Sequence, residues 1–108
     1  MRGLAVVLIS LFTFLGCVGQ EGRALWVVRY RLVDPKTVDQ IVREAKAAGF
    51  NLLFVQVYGR GDAYFNSSFV PRAEPLGDSP PGYDPLAYVI AKAHEAGLQV
   101  HAWLNVYY

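Results

Sequence analysis

Six residues carry the hydrogen-bonding chemistry that this sequence sets at or just beyond the ends of its apolar runs: Arg29, Gln56, Tyr58, Arg60, Asp62 and Asn105. Gln56 comes late in Leu52-Leu53-Phe54-Val55-Gln56-Val57, and Asn105 closes the run that begins at Leu98. An amide at such a tip can donate and accept at once. Arg60 and Asp62 flank Gly61 and offer charge-assisted hydrogen bonds, either to a ligand or to each other and the backbone of a loop. Arg29 and Arg31 cap the first run on one face, Arg29 directed to a site and Arg31 to solvent. Tyr58, Tyr64, Tyr107 and Tyr108 each pair apolar ring area with a polar tip, suited to stacking on a ligand or to packing a loop.

Other chemistries are poorly served. His94 and His101 fall on different elements without a third ligand at suitable spacing, so no metal is expected. Gly59 and Gly61 lack the lysine and helix start of a phosphate-binding loop, and no cofactor is expected. The net charge is +1 with no basic cluster. That excludes a nucleic-acid partner, which needs a cationic stripe against phosphates, and favours an uncharged or weakly charged polymer.

The elements that must position these residues follow a repeated pattern. Ala24 to Tyr30 is a near-continuous run of apolar, β-branched and aromatic residues, the mark of a strand buried on both faces. Asp34-Pro35 then opens a helix, with aspartate as cap and proline in the first turn. Val38, Ile41, Val42 and Ala45 form its apolar stripe and Gly49 stops it. Leu52 to Val57 is the second strand. Asp84-Pro85 opens a second helix with the stripe Leu86, Val89, Ile90 and Ala93, stopped at Ala96-Gly97. Leu98 to Asn105 is the third strand. Strands joined through helices are parallel. If Leu52 and Phe54 face the barrel interior, alternation brings Gln56 to that face too, and His101 and Trp103 share a face with Asn105.

Between the second strand and the second helix lie Tyr58 to Tyr83, 26 residues rich in proline and glycine. Connections of this kind usually take about 2–6 residues, and much longer ones are functional or disordered. The density of aromatic and charged residues in the first half points to function. The loop follows a strand, on the side where parallel α/β proteins build their sites.

The fold class is therefore α/β, the N-terminal portion of a parallel (β/α)8 TIM-type barrel, strand-helix-strand-helix-strand, preceded by a signal peptide. Residues 1–17 read as the signal, 18–23 as a short linker and 24–108 as a partial barrel truncated after its third strand, since a full barrel takes about 250 residues. Met1-Arg2 is a positive start, and Leu4 to Leu15 an apolar run of about 18 Å as a helix, too short to span a bilayer. Leu15-Gly16-Cys17 resembles the end of a lipobox, which would lipidate Cys17 and anchor the chain to a membrane in the cell envelope. The alternative is cleavage after Gly19 and release as a secreted or periplasmic protein.

Five blocks occur in order: Arg23-Ala24-Leu25-Trp26-Val27, Gln56 to Tyr64, Tyr83-Asp84-Pro85-Leu86, Ala93-His94 and Val100 to Asn105. Together they resemble the glycosyl hydrolase-like 10 family, with Tyr58 where that family often has arginine and Val106 where it often has proline. The resemblance implies a (β/α)8 barrel of the bacterial envelope and a glycosidase-type activity on peptidoglycan-like polysaccharide. With a sugar as ligand, Arg29, Gln56, Tyr58, Arg60, Asp62 and Asn105 are the candidate substrate-binding residues by their place at the strand ends and in the loop, the alternative being support of the barrel and loop. The resemblance also implies that the catalytic carboxylates come from later strands, leaving this portion inactive by itself. A non-catalytic carbohydrate-binding lipoprotein is the alternative.

Overall fold

The computed structural model describes residues 21–107. Cys17 and the signal segment, as well as Tyr108, lie outside the described residues. Strand β1 (Ala24–Val27), helix α1 (Pro35–Ala47), strand β2 (Leu52–Tyr58), helix α2 (Pro85–Glu95) and strand β3 (Gln99–Leu104) follow in that order. The strands form one parallel sheet in sequence order, with β2 in the middle. This strand-helix alternation is the N-terminal architecture of a (β/α) barrel.

The two helices are built by the same local rules. Asp34 accepts the Lys36 amide at 3.0 Å and Asp84 accepts the Ala87 amide at 3.1 Å, each supplying an acceptor for a free first-turn amide. At the other end Gly49 (φ 86°) and Gly97 (φ 78°) take the left-handed conformation. The following amides then turn back, Phe50 to the Ala45 carbonyl at 3.0 Å and Leu98 to the Ala93 carbonyl at 2.8 Å.

Between those caps each helix lays its stripe on one face of the sheet. Val38, Ile41, Val42 and Ala45 of α1 and Val89 and Ala93 of α2 pack with Leu53, Val55 and Val57 of β2. Leu53 and Val55 are wholly inaccessible. Burying a side chain of this size is worth about 1.5–3 kcal/mol, so the middle strand anchors the sheet to its helical layer.

The opposite face is aromatic and open. Trp26 stacks on Phe54 at 4.5 Å between centroids, Trp103 meets the Trp26 edge at 5.2 Å, and His101 meets Phe54 at 5.6 Å. Register explains the cluster: Trp26 pairs with Phe54, and Phe54 with His101. Trp26 remains 61% exposed.

The long connection is folded rather than slack. The Tyr64 amide donates to the Val57 carbonyl at 2.8 Å, the Ala63 amide to the Pro71 carbonyl at 2.8 Å and the Ala73 amide to the Ala63 carbonyl at 2.9 Å. A 3-10 turn over Glu74–Asp78 buries Leu76. The Tyr83 hydroxyl donates to the Leu32 carbonyl at 2.7 Å and the Ser79 hydroxyl to the Val33 carbonyl at 2.6 Å. Arg72 clasps the carbonyl of Tyr83 and the side chain of Asn66, whose own amide bonds Asp84. These ties fasten the loop to the turn after β1 and to the start of α2. Arg23, the last residue of the expected linker, is also held: its amide donates to Asn51 at 2.8 Å and its guanidinium to the Gly49 carbonyl at 2.7 Å.

Candidate functional site

The sheet loses its regular ladder at one level, and the polar residues gather there. Strand β1 ends at Val27, earlier than the apolar run to Tyr30 suggested. Just beyond it the Gln56 side-chain oxygen accepts the Arg29 amide at 3.1 Å, where a continuing strand would offer a backbone carbonyl. Arg31 then turns its amide back to Val28 at 3.0 Å, and Arg29–Leu32 form a 3-10 turn. On the other flank β2 carries an extra residue, since Gln56 pairs with Trp103 but Tyr58 with Leu104. Such a bulge bends a strand and re-aims its side chains. The Asn105 amide donates to the Tyr58 carbonyl at 2.9 Å just beyond it.

Gln56 itself is 3% exposed, a buried amide on the face turned away from the helices. Arg29 is half-buried beside it. Its guanidinium lies 4.4 Å from the centre of the Tyr30 ring and donates to the Tyr30 hydroxyl at 2.5 Å. A guanidinium over an aromatic face is held by the ring's electrostatics. The stem of Arg29 crosses Gly59 so closely that a Cβ there would overlap Arg29 Cδ. Glycine at 59 is what leaves room for the arginine.

The loop supplies Arg60 and Asp62. Gly61 takes a left-handed conformation (φ 77°), and Asp62 accepts the Arg60 amide at 3.0 Å. Asp62 thus holds the turn through one oxygen. Its charge also reaches Tyr64, whose hydroxyl is pushed up from the ordinary tyrosine value first by burial and then by Asp62, while Arg29 pulls it down. Arg29 and Asp62 are therefore both within electrostatic reach of one buried phenol. Arg29, Gln56, Tyr58 and Asn105 are brought together at the C-terminal ends of the strands, with Asp62 above them in the loop.

The expected stacking tyrosines separate. Tyr64 is 1% exposed and belongs to the core, so its ring is closed to a ligand, because its backbone bond to Val57 folds it under the loop. Tyr58 is half-buried at the strand end and Tyr107 is exposed. Arg31 is exposed, away from the buried Leu32. Sequence reasoning passed over Tyr30, the ring that carries Arg29, and Trp26, the neighbour of Phe54 and Trp103. The spacing Trp26-Val28-Tyr30 was the available signal, once register with β2 was known. No cluster of His, Cys, Asp and Glu fit to hold a metal occurs among the described residues. Among the same residues no helix is long and apolar enough to cross a membrane.

Strand-end polar groups over a parallel sheet are compatible with many ligands, and comparison with known proteins narrows the choice. The family model described as glycosyl hydrolase-like 10 matches residues 21–108. The chain belongs to this family. Among its relatives is the glycosyl hydrolase YngK of Bacillus subtilis (strain 168), 33% identical over 103 residues, covering 82% of this chain and 20% of that protein. The glycosyl hydrolase DigH of Escherichia coli (strain K12) is 40% identical over 83 residues, covering 73% of this chain and 18% of its own. The chain thus spans about a fifth of the length of these relatives. As a glycosyl hydrolase-like 10 barrel portion, it contributes three strand ends and one long loop to the face where (β/α) barrels bind their ligands.

Proposed function

We propose that this chain supplies a substrate-binding rim for a glycoside hydrolase acting on peptidoglycan-like glycans of the bacterial envelope. The observation that carries the reading is Gln56, a buried amide at a strand end, bonded to the Arg29 backbone and bordered by Tyr58 and Asn105. Membership of a glycosyl hydrolase-like family and relatives named glycosyl hydrolases support it.

In this reading Arg29, Arg60 and Asn105 bind sugar hydroxyls, Tyr58 offers ring area, and Asp62 accepts from a hydroxyl through the oxygen not engaged with Arg60. Glycoside cleavage needs two carboxyl groups, about 5–5.5 Å apart for retention or about 6.5–9.5 Å for inversion. Asp34 and Asp84 serve as helix caps and Asp62 holds a turn, so the acid and its partner are assigned to other parts of the protein. Anchoring through a lipidated Cys17 would keep the enzyme at the envelope. Fatty-acid labelling lost in Cys17→Ala would support the anchor, and labelling retained would remove it.

The direct test is turnover of purified peptidoglycan strands by the full-length protein. Shortened strands from the wild type, and strongly reduced yield from Asn105→Ala, are expected. Binding without any product would favour a carbohydrate-binding protein instead. Neither binding nor product would end both.

A further inference from the structure

The arginine at the rim is built as more than a hydroxyl donor. Its amide is fixed by buried Gln56, its stem lies across Gly59 where a Cβ would displace it, and its guanidinium rests on the Tyr30 ring. Yet no ion pair among the described residues reaches it. Its polar side-chain partners are the phenols of Tyr30 and Tyr64, neutral groups that engage part of a five-donor fork. A neutral amide would suffice to bind sugar hydroxyls. A fixed guanidinium matches a planar carboxylate with two parallel hydrogen bonds, and its stacking reduces the entropy lost on binding.

We propose that Arg29 recognises a carboxylate carried by the glycan, so that the preferred substrate class is an acidic polysaccharide rather than a neutral one. This rests on the glycan-binding reading above and adds to it the charge of the ligand. Tyr30 acts with Arg29 by holding the cation in place, and Gly59 by leaving its seat open.

The test compares two forms of one polymer on the full-length protein. One is wall glycan with its sugar-acid carboxylates intact, and the other is the same glycan with those carboxylates reduced to alcohols. Wild type should bind the acidic form about 10–100-fold more tightly, the range set by charge-assisted hydrogen bonds. Arg29→Gln should bind both forms equally, near the wild-type affinity for the reduced one. Arg29→Lys keeps the charge but not the fork, and should recover only part of the preference.

Equal affinity of the wild type for both forms would overturn the carboxylate assignment while leaving glycan binding intact. Full preference retained in Arg29→Gln would overturn it too, by transferring the recognition to another residue. No binding of either form would overturn the glycan reading, and this inference with it.

Discussion

The side-chain oxygen of Gln56 accepts the Arg29 amide at 3.1 Å, and this bond seats the arginine just beyond the end of the first strand. A buried side chain here does the work of a sheet carbonyl. The parallel ladder is open here, where a ligand can enter.

Replacing Gln56 by Met keeps its approximate volume and deletes the acceptor. The Arg29 amide is then left without its partner, at a cost of about 1–3 kcal/mol. Denaturant unfolding should show that loss, and glycan affinity should fall with it. An unchanged unfolding midpoint would mean that the turn holds itself.

Gly59→Ala separates the site from the fold. Residue 59 is not among the positive-φ positions, so alanine is compatible with its backbone, but its Cβ would overlap the Arg29 stem. Arginine is flexible enough to swing aside. Because the atoms overlapped belong only to that movable side chain, stability should change by less than about 1 kcal/mol. Glycan binding should drop about tenfold or more if Arg29 makes a charge-assisted contact. Retained binding would show that the position of Arg29 is immaterial.

Asp62 has two open roles, and two substitutions distinguish them. Asn keeps an acceptor for the Arg60 amide and removes the charge, while Ala removes both. A ligand role predicts reduced affinity in both variants, with stability close to wild type for Asp62→Asn. A purely loop-holding role predicts wild-type affinity in Asp62→Asn and raised protease sensitivity of the loop in Asp62→Ala.

Tyr83 ties the loop to the turn after β1, and its titration reports that tie. Burial, with added repulsion from nearby Tyr88 and aspartates, raises its hydroxyl far above the ordinary 10.0. In the unfolded chain the proton leaves near that ordinary value, while in the folded chain it stays. The contribution is therefore complete below pH 10 and declines as pH rises from there toward the folded value. Melting temperature should fall above about pH 10, and less steeply in Tyr83→Phe. That variant should also lose about 1–2 kcal/mol at neutral pH, because the Leu32 carbonyl loses its donor. Identical alkaline slopes in both proteins would contradict this assignment.

Much of the scaffold was legible because its signals are local. Asp-Pro starts and glycine stops act within a few residues, so both helices and the repeat they define could be read directly. Alternation along β2 likewise carried Gln56 to the face opposite Val55 and Val57. Long-range bonds were not legible. Nothing near Arg29 announces that a side chain 27 positions away would take its amide. Tyr64 looked available for stacking because its burial depends on the return of its backbone to Val57 across a turn. The Trp26–Phe54 stack needed register, which no single strand reveals.

A structure of the full-length protein bound to an oligosaccharide of its wall glycan shows directly whether the strand-end rim holds the sugar. A sugar within hydrogen-bonding distance of Arg29 and Asn105 at the strand ends is the expected result. A sugar seated instead in the groove of Pro35, Pro80, Pro81 and Tyr88, with the strand-end rim untouched, would contradict it.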